Sequence, residues 1–495
     1  MQVPYSMRRL IVLVGLLIVL CVLPQCRAAQ QNRYNVLFIA IDDLRPELGC
    51  YGVDHGQSRY LDRFAKSAVV FDRHYVQVAT CGASRYALLT GRSPASSGVT
   101  RSNAAFYSGD SALNRRQLPQ AQSMPELFRR SGYRTVCIGK MSHTADGRVF
   151  AYNGKGDGRD EVPHGWDALQ TPLGSWKRGW GIFFAYAGGR HREDGNGHRD
   201  LMEFKAETDE ELPDGLLAAK AITRLREFKT NNTRFFLGLG FFKPHLPFVA
   251  PRQDWDAMAQ ADVDGSFSPK VDSPYWHSSN EFYKYNAPYE KQRPLGVEAR
   301  KTARRAYLAC VRYADRQAGR VLDELDRLGL ADSTIVVVWG DHGWHLGEQQ
   351  IWAKHSPFER ANRSVLMVRA PGVSQPGLQT RALAETIDLY PTLTDLCAPA
   401  FRETAHTLDG TSLKPVLTGE KMSVHDVAVS YWGDAVSVRS GTHRLVAKVR
   451  KRKVVHTELY DLSVNPDSVD NLAADDAATV QKLVSQIPAH LLDDR

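Results

Sequence analysis

The sequence has few cysteines, and their arrangement excludes the small folds that cysteines hold together. Only seven occur in 495 residues, and two of these, Cys21 and Cys26, lie within the first 29 residues. The other five are odd in number and widely scattered, which fits neither a disulfide scaffold nor a zinc ribbon. They are Cys50, Cys81, Cys137, Cys310 and Cys397. An odd thiol therefore needs a separate explanation.

Long basic runs and internal repeats are also lacking. The formal net charge is +8, but the lysines and arginines are spread along the chain, so we expect no nucleic-acid-binding arm. Hydrophobic residues make up 43% and charged residues 24% of the chain, which is ordinary globular composition. A chain of this length can bury one very large core, or a large core beside a smaller one.

The N-terminus has the pattern of a secretory signal peptide, which we place at residues 1–29. Arg8 and Arg9 precede an apolar run over residues 10–23, and small residues follow at Ala28 and Ala29. The run is shorter than the roughly 20 residues that span a bilayer comfortably, which favours cleavage, although a short tether stays open. No later segment is apolar enough to span a membrane after cleavage. We expect export: a periplasmic or secreted protein in a bacterium, a lysosomal one in an animal.

Short apolar runs without alternation predict strands that are buried on both faces. They cover Asn35–Ile41, residues 135–138, Phe235–Phe241, residues 335–339 and residues 364–369. Helical patterns lie between them, and the clearest runs from Tyr307 to Leu325 and is closed by Gly329. This alternation predicts an α/β catalytic domain over residues 30–425, with a mainly parallel mixed sheet flanked by helices.

The character of the chain changes from about Val427. Three short β-rich runs joined by turns follow, at residues 427–432, Ala435–Arg439 and residues 443–449. They predict a smaller C-terminal subdomain over residues 426–495 with a short antiparallel sheet. Glycine-rich stretches at residues 152–158 and 188–197 are expected to be surface loops.

Charged and imidazole side chains directly follow four of the predicted strands. They are Asp42 and Asp43, Lys140 and His143, Lys243 and His245, and Asp341 and His342. In open α/β sheets, ligands bind beyond the carboxyl ends of the strands. We therefore expect these side chains to meet at one edge of the sheet.

Cys81 stands where a loop enters a predicted helix, with Arg85 four residues later. A helix N-terminus offers free backbone N–H groups and a positive dipole end, which favour an anion or a nucleophile with developing negative charge. Taken alone, however, a buried cysteine before a helix is usually inert packing.

The wider motif resembles the signature of the sulfatase family. That signature is Cys-x-Pro/Ala-x-Arg followed shortly by Thr-Gly-Arg, and it is matched by Cys81, Ala83, Arg85, Thr90, Gly91 and Arg92. The resemblance implies that a formylglycine-generating maturation enzyme oxidises Cys81 to formylglycine (3-oxoalanine). It further implies that the hydrated aldehyde attacks sulfur, expels the alcohol and then releases sulfate.

The resemblance extends over nearly the whole mature chain and implies an alkaline-phosphatase-like fold. Asp42-Asp43 matches the family's paired metal-binding aspartates, and Asp341-His342-Gly343 with Lys354 matches its later metal-and-lysine block. Gly139-Lys140 with His143, and Lys243-Pro-His245, match two further catalytic stretches. Within the family the likeness is greatest to the iduronate-2-sulfatases, because of Asp42-Asp-Leu-Arg-Pro, Lys243-Pro-His-Leu-Pro-Phe and a histidine instead of asparagine at position 342.

The resemblance also implies a role for each of these side chains. A Ca²⁺ ion, a hard cation that prefers oxygen ligands, would be bound by Asp42, Asp43, Asp341, His342 and the group derived from Cys81. Positive charge around the sulfate would come from Arg85, Lys140 and Lys354. His143 would act as a base on the nucleophile, and His245 would protonate the leaving alcohol. Lys243, Lys354 and His245 would contact the substrate.

Two other functions fit parts of the pattern. A phosphatase or phosphonate monoester hydrolase of the same superfamily would use similar metal-linked aspartates, and a non-catalytic sulfated-glycan-binding protein would keep the fold. The Cys81 signature argues against the first, and the complete set of catalytic candidates argues against the second. We therefore expect a sulfuric ester hydrolase that acts on a sulfated carbohydrate, such as a 2-O-sulfated uronic acid. The residues that hold the sugar are expected in loops such as residues 171–197.

Overall fold

The computed structural model describes residues 34–150, 156–176, 179–192, 194, 200–271, 273, 281–285, 287–289 and 294–492. The predicted signal peptide over residues 1–29 lies outside the described residues, as do parts of the predicted loops at 152–158 and 188–197. Within the described ranges, no helix is both long and apolar enough to cross a membrane. The leader and the export that it implies therefore stay predictions.

The strands are β1 (Asn35–Ile41), β2 (Val69–Tyr75), β3 (Arg134–Gly139), β4 (Ala168–Leu169), β5 (Met202–Glu203), β6 (Phe235–Phe241), β7 (Phe248–Val249), β8 (Thr334–Gly340), β9 (His345–Leu346), β10 (Trp352–Ala353), β11 (Arg363–Ser364), β12 (Leu366–Arg369), β13 (Gln379–Glu385), β14 (Ala428–Trp432), β15 (Ala435–Arg439), β16 (His443–Arg450) and β17 (Lys453–Asp461). 

The α-helices are α1 (Arg59–Ala65), α2 (Cys81–Thr90), α3 (Pro94–Ser97), α4 (Met124–Arg130), α5 (Trp180–Phe183), α6 (Pro213–Thr230), α7 (Arg252–Met258), α8 (Val297–Arg327), α9 (Glu359–Asn362), α10 (Leu389–Cys397), α11 (Lys414–Leu417) and α12 (Ala477–Val484). Short 3₁₀ helices cover Gly49–Tyr51, Ala187–Gly189, Asp209–Glu211, Phe282–Lys284, Ala331–Ser333, Glu348–Gln350, Thr386–Asp388 and Ala489–Leu491.

Nine strands form one mixed sheet with β1 between β8 and β6. The order is β11-β2-β12-β8-β1-β6-β3-β4, and β13 pairs with β2 outside this path. β1 is parallel to β6 and β8, and β3 is parallel to β6, whereas β12 is antiparallel to both of its neighbours. The predicted α/β fold with a mainly parallel mixed sheet is confirmed.

Helices cover both faces of the central strand β1, which explains why its sequence is continuously apolar. Leu37 and Ile39 belong to one buried cluster, which also contains residues of α6 and α8. Val36 and Phe38 point to the other face and belong to a second cluster, with residues of α2 and α4. Because both faces are filled, polar groups of this region are displaced to the ends of the strands.

The C-terminal region forms the predicted antiparallel sheet, in the order β14-β15-β16-β17. Its fourth strand, β17, extends the three predicted ones and pairs with β16 from His443↔Asp461 to Arg450↔Lys453. Side chains of this sheet, such as Val438 and Leu445, join the same buried cluster as those of α2. The division of the chain at residue 425 stays a prediction.

Strand β14 is hydrogen-bonded to the segment that leads into α2. Tyr431 N donates to Gln77 O at 2.7 Å, and Ser430 Oγ donates to Val76 O at 2.6 Å. Val78 and Tyr431 form an isolated parallel bridge. The C-terminal sheet therefore fixes the chain a few residues before Cys81.

Candidate active site

Helix α2 begins at Cys81, and every residue of the helix is buried. The preceding residue, Thr80, is extended, with φ −155° and ψ 142°, so the chain turns into the helix at Cys81. This confirms the predicted loop-to-helix entry. The thiol therefore lies at the positive end of a helix, the position at which negative charge is stabilised.

Asn103 closes the start of this helix. Its Oδ1 accepts hydrogen bonds from Gly82 N at 2.8 Å and from Thr80 Oγ1 at 3.1 Å. A Cβ at position 82 would collide with the Asn103 backbone, so glycine is required for this close approach. The segment around residue 103 is thereby held against the nucleophile position.

Three carboxylates meet beyond the carboxyl ends of β1 and β8: Asp42, Asp43 and Asp341. All three are fully buried, and Asp43 N donates to Asp341 Oδ1 at 2.9 Å. Asp43 has φ 60°, a left-handed conformation that is uncommon outside glycine. Tyr307 of α8 supports it, since its hydroxyl donates to Asp43 O at 2.8 Å.

Three buried cations neutralise these carboxylates. Arg85 donates from Nε to Asp341 at 3.0 Å and from Nη2 to Asp42 at 3.1 Å. Lys140 Nζ lies 2.7 Å from Asp42 Oδ2, and Lys354 Nζ lies 2.8 Å from Asp43 Oδ1. Buried charges of this density are tolerated only because each is paired.

The pairing sets the carboxylates apart electrostatically. Burial alone would raise the pKa of Asp42, but Lys140 and Arg85 outweigh it and hold that pKa well below the usual range. For Asp43, burial prevails over Lys354 and His342, so its pKa lies well above the usual range. An additional cation bound beside Asp43 would favour its ionised form.

His342 faces the same carboxylates and the thiol. Its Nε2 lies 3.3 Å from Cys81 Sγ, 3.3 Å from Asp43 Oδ1 and 3.7 Å from Asp341 Oδ2. Its Nδ1 lies 2.9 Å from Gly343 O, and because a carbonyl oxygen can only accept a hydrogen bond, Nδ1 must carry the proton. The ring is thus held in the tautomer whose Nε2 lone pair points into the site, as in a metal ligand.

The donor set fits a divalent cation. Ligand atoms of Asp42, Cys81, Asp341 and His342 all lie within 4.8 Å of one another, and so do those of Asp42, Asp43, Cys81 and His245. Asp43 Oδ2 is buried and accepts no hydrogen bond. An unsatisfied carboxylate oxygen among three carboxylates is what a hard, oxygen-preferring cation requires.

Two histidines line the site beside this cluster. His143 is buried against Trp180, with ring centroids 5.0 Å apart, and its Nδ1 makes no hydrogen bond. Burial and Lys140 hold the pKa of His143 well below its usual range. Burial and Lys354 likewise lower the pKa of His245 to about 3. Both rings are therefore neutral at pH 7 in this state of the site.

Glu281 joins the site and was not predicted from the sequence. Its carboxylate lies 3.2 Å from His245 Nε2 and 3.4 Å from Lys354 Nζ. Lys354 therefore lies between Asp43 and Glu281. No motif in the surrounding sequence marks Glu281, and it lies far along the chain from the matched motifs. The sequence therefore contains no signal that identifies it as a site residue.

Lys243 is placed differently from the other predicted site residues. Its Nζ donates to His245 O at 2.9 Å and to Pro247 O at 2.7 Å, so it holds the loop that carries His245. Asp214 fixes the same loop by accepting from Phe242 N and Lys243 N, each at 2.9 Å. The structure thus brings the remaining predicted residues together, while Lys243 supports them through the backbone.

Comparison with protein families gives two matches that together cover residues 34–495. Residues 34–398 match the family described as Sulfatase, and residues 347–495 match the family described as N-sulphoglucosamine sulphohydrolase, C-terminal. The first match contains every predicted site residue. The second contains Lys354 and the C-terminal antiparallel sheet.

Individual relatives agree with these matches. The chain is 30% identical over 414 residues to iduronate 2-sulfatase of Mus musculus, which covers 74% of this chain and 70% of that protein. It is 29% identical over 401 residues to iduronate 2-sulfatase of Homo sapiens, which covers 73% of this chain and 68% of that protein. Among solved structures, the phosphonate monoester hydrolase from Silicibacter pomeroyi superposes with a TM-score of 0.71 at 23% identity, covering 92% of this chain and 95% of that one. The last likeness establishes the fold alone.

Proposed function

The chain belongs to the sulfatase family and is a sulfuric ester hydrolase, and we propose that it removes sulfate from a sulfated sugar, with 2-O-sulfated uronic acids as the first substrate class to test. The observation that carries the proposal is the position of Cys81. Cys81 is the first residue of a buried helix, and its Sγ lies 3.3 Å from His342 Nε2. The same Sγ belongs to the group of possible metal ligands that includes Asp42 and Asp341.

We propose that Cys81 is converted to formylglycine by a maturation enzyme. As a thiol it is a poor nucleophile here, because burial and Asp42 raise the pKa of Cys81 to about 12. The hydrated aldehyde would supply an oxygen nucleophile at the same place. Intact cations and histidines around Cys81 support this proposal over inert packing.

The residues that would hold Ca²⁺ are Asp42, Asp43, Asp341 and His342, together with the group derived from Cys81. Three carboxylates favour a hard cation, although an imidazole ligand also suits softer metals. When bound, the cation would polarise a sulfate oxygen and balance the carboxylates. The buried, unpartnered Asp43 Oδ2 supports its presence.

We propose that Lys140 and Lys354 bind the sulfate group. Both ammonium groups are buried beside the nucleophile position, and each is paired with one aspartate. Burial alone would lower their pKa values, but Asp42 holds the pKa of Lys140 above its usual value, and Asp43 does so for Lys354. Two fixed positive charges in a water-poor site stabilise charge that develops on the sulfate oxygens during bond cleavage.

We propose that His143 and His245 transfer protons during the reaction. The unpartnered Nδ1 of neutral His143 can accept a proton from the nucleophile hydroxyl. His245 lies between two acceptors, with Nδ1 2.6 Å from Leu246 O and Nε2 3.2 Å from Glu281 Oε1. This geometry stabilises the protonated ring, so an anionic substrate that offsets Lys354 would let His245 donate to the leaving alcohol.

The test compares sulfate with phosphate. Aryl sulfate and aryl phosphate are assayed side by side, followed by defined sulfated disaccharides, with the Cys81→Ala variant as control. Sulfate turnover that disappears in the variant is expected. Faster phosphate turnover, which the phosphonate-hydrolase-like fold makes worth measuring, would replace the proposal by a phosphoester or phosphonate activity.

Export of the mature protein is proposed separately. It rests on the leader pattern of residues 1–29, and N-terminal sequencing of the protein recovered from the periplasm or medium of a bacterial host tests it. A mature N-terminus near residue 30 is expected. Recovery of the unprocessed chain in the cytoplasm alone would contradict it.

A further inference from the structure

The side chain of Arg101 carries a positive charge that is not neutralised within the described residues. Arg101 is exposed, and within the described ranges its guanidinium makes no ion pair and no side-chain hydrogen bond. The cations inside the site differ, because Arg85, Lys140 and Lys354 are each paired with a carboxylate. The guanidinium of Arg101 is therefore available to pair with a second negative group on a substrate.

Trp432 and Gly433 place this guanidinium. Its Cζ lies 5.9 Å from the centre of the Trp432 ring, a cation–π distance. A Cβ at position 433 would collide with the guanidinium, so the glycine, at φ 62°, makes room for it. Gly433 N also donates to Thr100 O at 3.3 Å. Arg101 is therefore seated against the turn between β14 and β15.

The same contacts lead back to the nucleophile. His355 also contacts the Trp432 ring and stacks on it, with centroids 4.9 Å apart and planes 13° apart. His355 Nε2 lies 3.2 Å from the hydroxyl of Thr80, the residue before Cys81. From the other side, the segment after Arg101 reaches Asn103, which caps the helix that begins at Cys81.

We propose that Arg101 binds a second anionic group, a carboxylate or a sulfate, on the sugar whose sulfate ester is hydrolysed. The proposal rests on the proposed function. A planar guanidinium binds either group through two parallel hydrogen bonds, and stacking on Trp432 limits the conformations that must be frozen on binding. Arg101 thereby selects polyanionic sugars over sulfate esters with a single charge, and Trp432 is its positioning residue.

The experiment measures selectivity. Steady-state kinetics are recorded for an aryl sulfate, which has one anionic group, and for a panel of disaccharides that carry a sulfate ester and a second anionic group. For Arg101→Ala we expect the ratio of kcat/KM for the best disaccharide to that for the aryl sulfate to fall about fivefold to tenfold, mainly through KM. The matched control is Arg116→Ala, since Arg116 is exposed in the same connection between α3 and α4.

Further arms identify the anionic group and the role of Trp432. Each carboxylate-bearing disaccharide is compared with its methyl ester, and each disulfated one with its monosulfated form. The anionic group that binds Arg101 is the one whose removal lowers kcat/KM in the wild type but not in Arg101→Ala. Trp432→Ala is expected to give the same loss of selectivity, and the double variant no further loss.

The outcomes are distinguishable. If the wild type hydrolyses none of the sulfate esters, the proposed function itself is contradicted. Hydrolysis of the aryl sulfate with no disaccharide desulfated, or Arg101→Ala selectivity equal to that of Arg116→Ala, would overturn the role of Arg101 and leave the proposed sulfatase chemistry in place. A changed melting temperature in Trp432→Ala is checked first, and Trp432→Phe replaces it if the fold is affected.

Discussion

Arg85 donates from Nε to the carboxylate of Asp341 at 3.0 Å, and neither side chain is exposed to solvent. The remainder of the guanidinium is bound to Asp42 and to the carbonyl of Lys140. Burial alone would lower the pKa of Arg85, but Asp341 and Asp42 raise it above its usual value, so the group stays charged. Arg85 therefore joins the ends of three strands, in addition to the role near the sulfate that the proposed function gives it.

Replacing Asp341 by Asn should weaken metal binding and catalysis together. The substitution removes one ligand charge and leaves the buried Arg85 with a single carboxylate partner, Asp42. We expect Ca²⁺ affinity and kcat each to fall by at least about tenfold, since loss of a hydrogen bond to a buried charge costs about 1.5–3 kcal/mol. Calorimetric Ca²⁺ titration and steady-state kinetics measure the two effects.

Asp332→Asn is the control for that variant. Asp332 is exposed and precedes the opposite end of β8, so the same chemical change there should alter neither quantity. Unchanged Ca²⁺ affinity in Asp341→Asn would remove Asp341 from the metal site.

Mass spectrometry of the peptide that contains Cys81 should show formylglycine. Protein from a host that has a formylglycine-generating enzyme is expected to show the loss of one sulfur and two hydrogen atoms and the gain of one oxygen atom in that peptide. The buried Cys137 is an internal control, because it has no matching motif and should stay a thiol. An unmodified Cys81 in fully active protein would refute the proposed nucleophile.

Replacing Glu359 by Gln should destabilise the fold. Glu359 pairs with Arg439 at 3.2 Å and Arg444 at 2.6 Å, all three side chains are buried, and Tyr75 donates to it at 2.8 Å. Burial alone would raise its pKa, but Arg444 and Arg439 lower the pKa of Glu359 to about 2. The variant leaves two buried guanidinium groups uncompensated, which costs about 3–5 kcal/mol.

Urea unfolding measures this loss. The control is Asp395→Asn, which removes the exposed partner of Lys414, a pair 3.2 Å apart, and should cost less than about 1 kcal/mol. Equal unfolding midpoints for the two variants would mean that the Glu359 network contributes no more than a surface pair.

The stability of the fold should fall between pH 6 and pH 9 because of His425. Burial lowers the pKa of His425, but the Asp388 carboxylate, 2.9 Å away, outweighs it and raises the pKa from 6.5 to about 8. A pKa raised by folding stabilises the protein fully below pH 6.5, and this is lost as the pH rises through about 8. Glu385 acts in the same direction, since burial and Asp388 raise its pKa to about 7.

Urea unfolding at pH 6 and pH 9 tests this dependence. Because His425 is partly exposed, we expect it to account for about 1 kcal/mol of the fall in unfolding free energy between pH 6 and pH 9. The fall should therefore be smaller in His425→Gln. His490→Gln, at an exposed histidine, should keep the wild-type dependence. An identical fall in stability in His425→Gln would assign the pH dependence to other groups.

Parts of this architecture follow from the sequence for a simple physical reason. Continuous apolar runs such as Asn35–Ile41 can only be strands covered on both faces, and parallel strands deliver the residues after them to one edge. The sequence alone therefore predicts that Asp42 and Asp341 lie close together. The helix entry at Cys81 was also predictable, because the motif has a defined position relative to that helix.

Other elements gave too weak a signal. β2 contains Asp72, Arg73 and His74, and β13 begins with the polar residues Gln379, Thr380 and Arg381. Neither strand therefore forms an apolar run, although both belong to the main sheet. Glu281 contacts His245 and Lys354, which are distant from it in the sequence, so no local pattern predicts its place in the site. Lys243 follows a strand as Lys140 does, but its ammonium group is bound by the carbonyl oxygens of His245 and Pro247 in the turn that comes next.

The bonds from β14 to residues 76–78 also bear on the order of events during biosynthesis. Cys81 is only 3% exposed in the folded chain, so the maturation enzyme that we propose would have to reach it before this region closes. The partner that completes the closure, β14, begins at residue 428 and is synthesised more than three hundred residues later. Cys81 would thus stay accessible for an interval during translation, and variants that delay pairing of β14 should lengthen that interval.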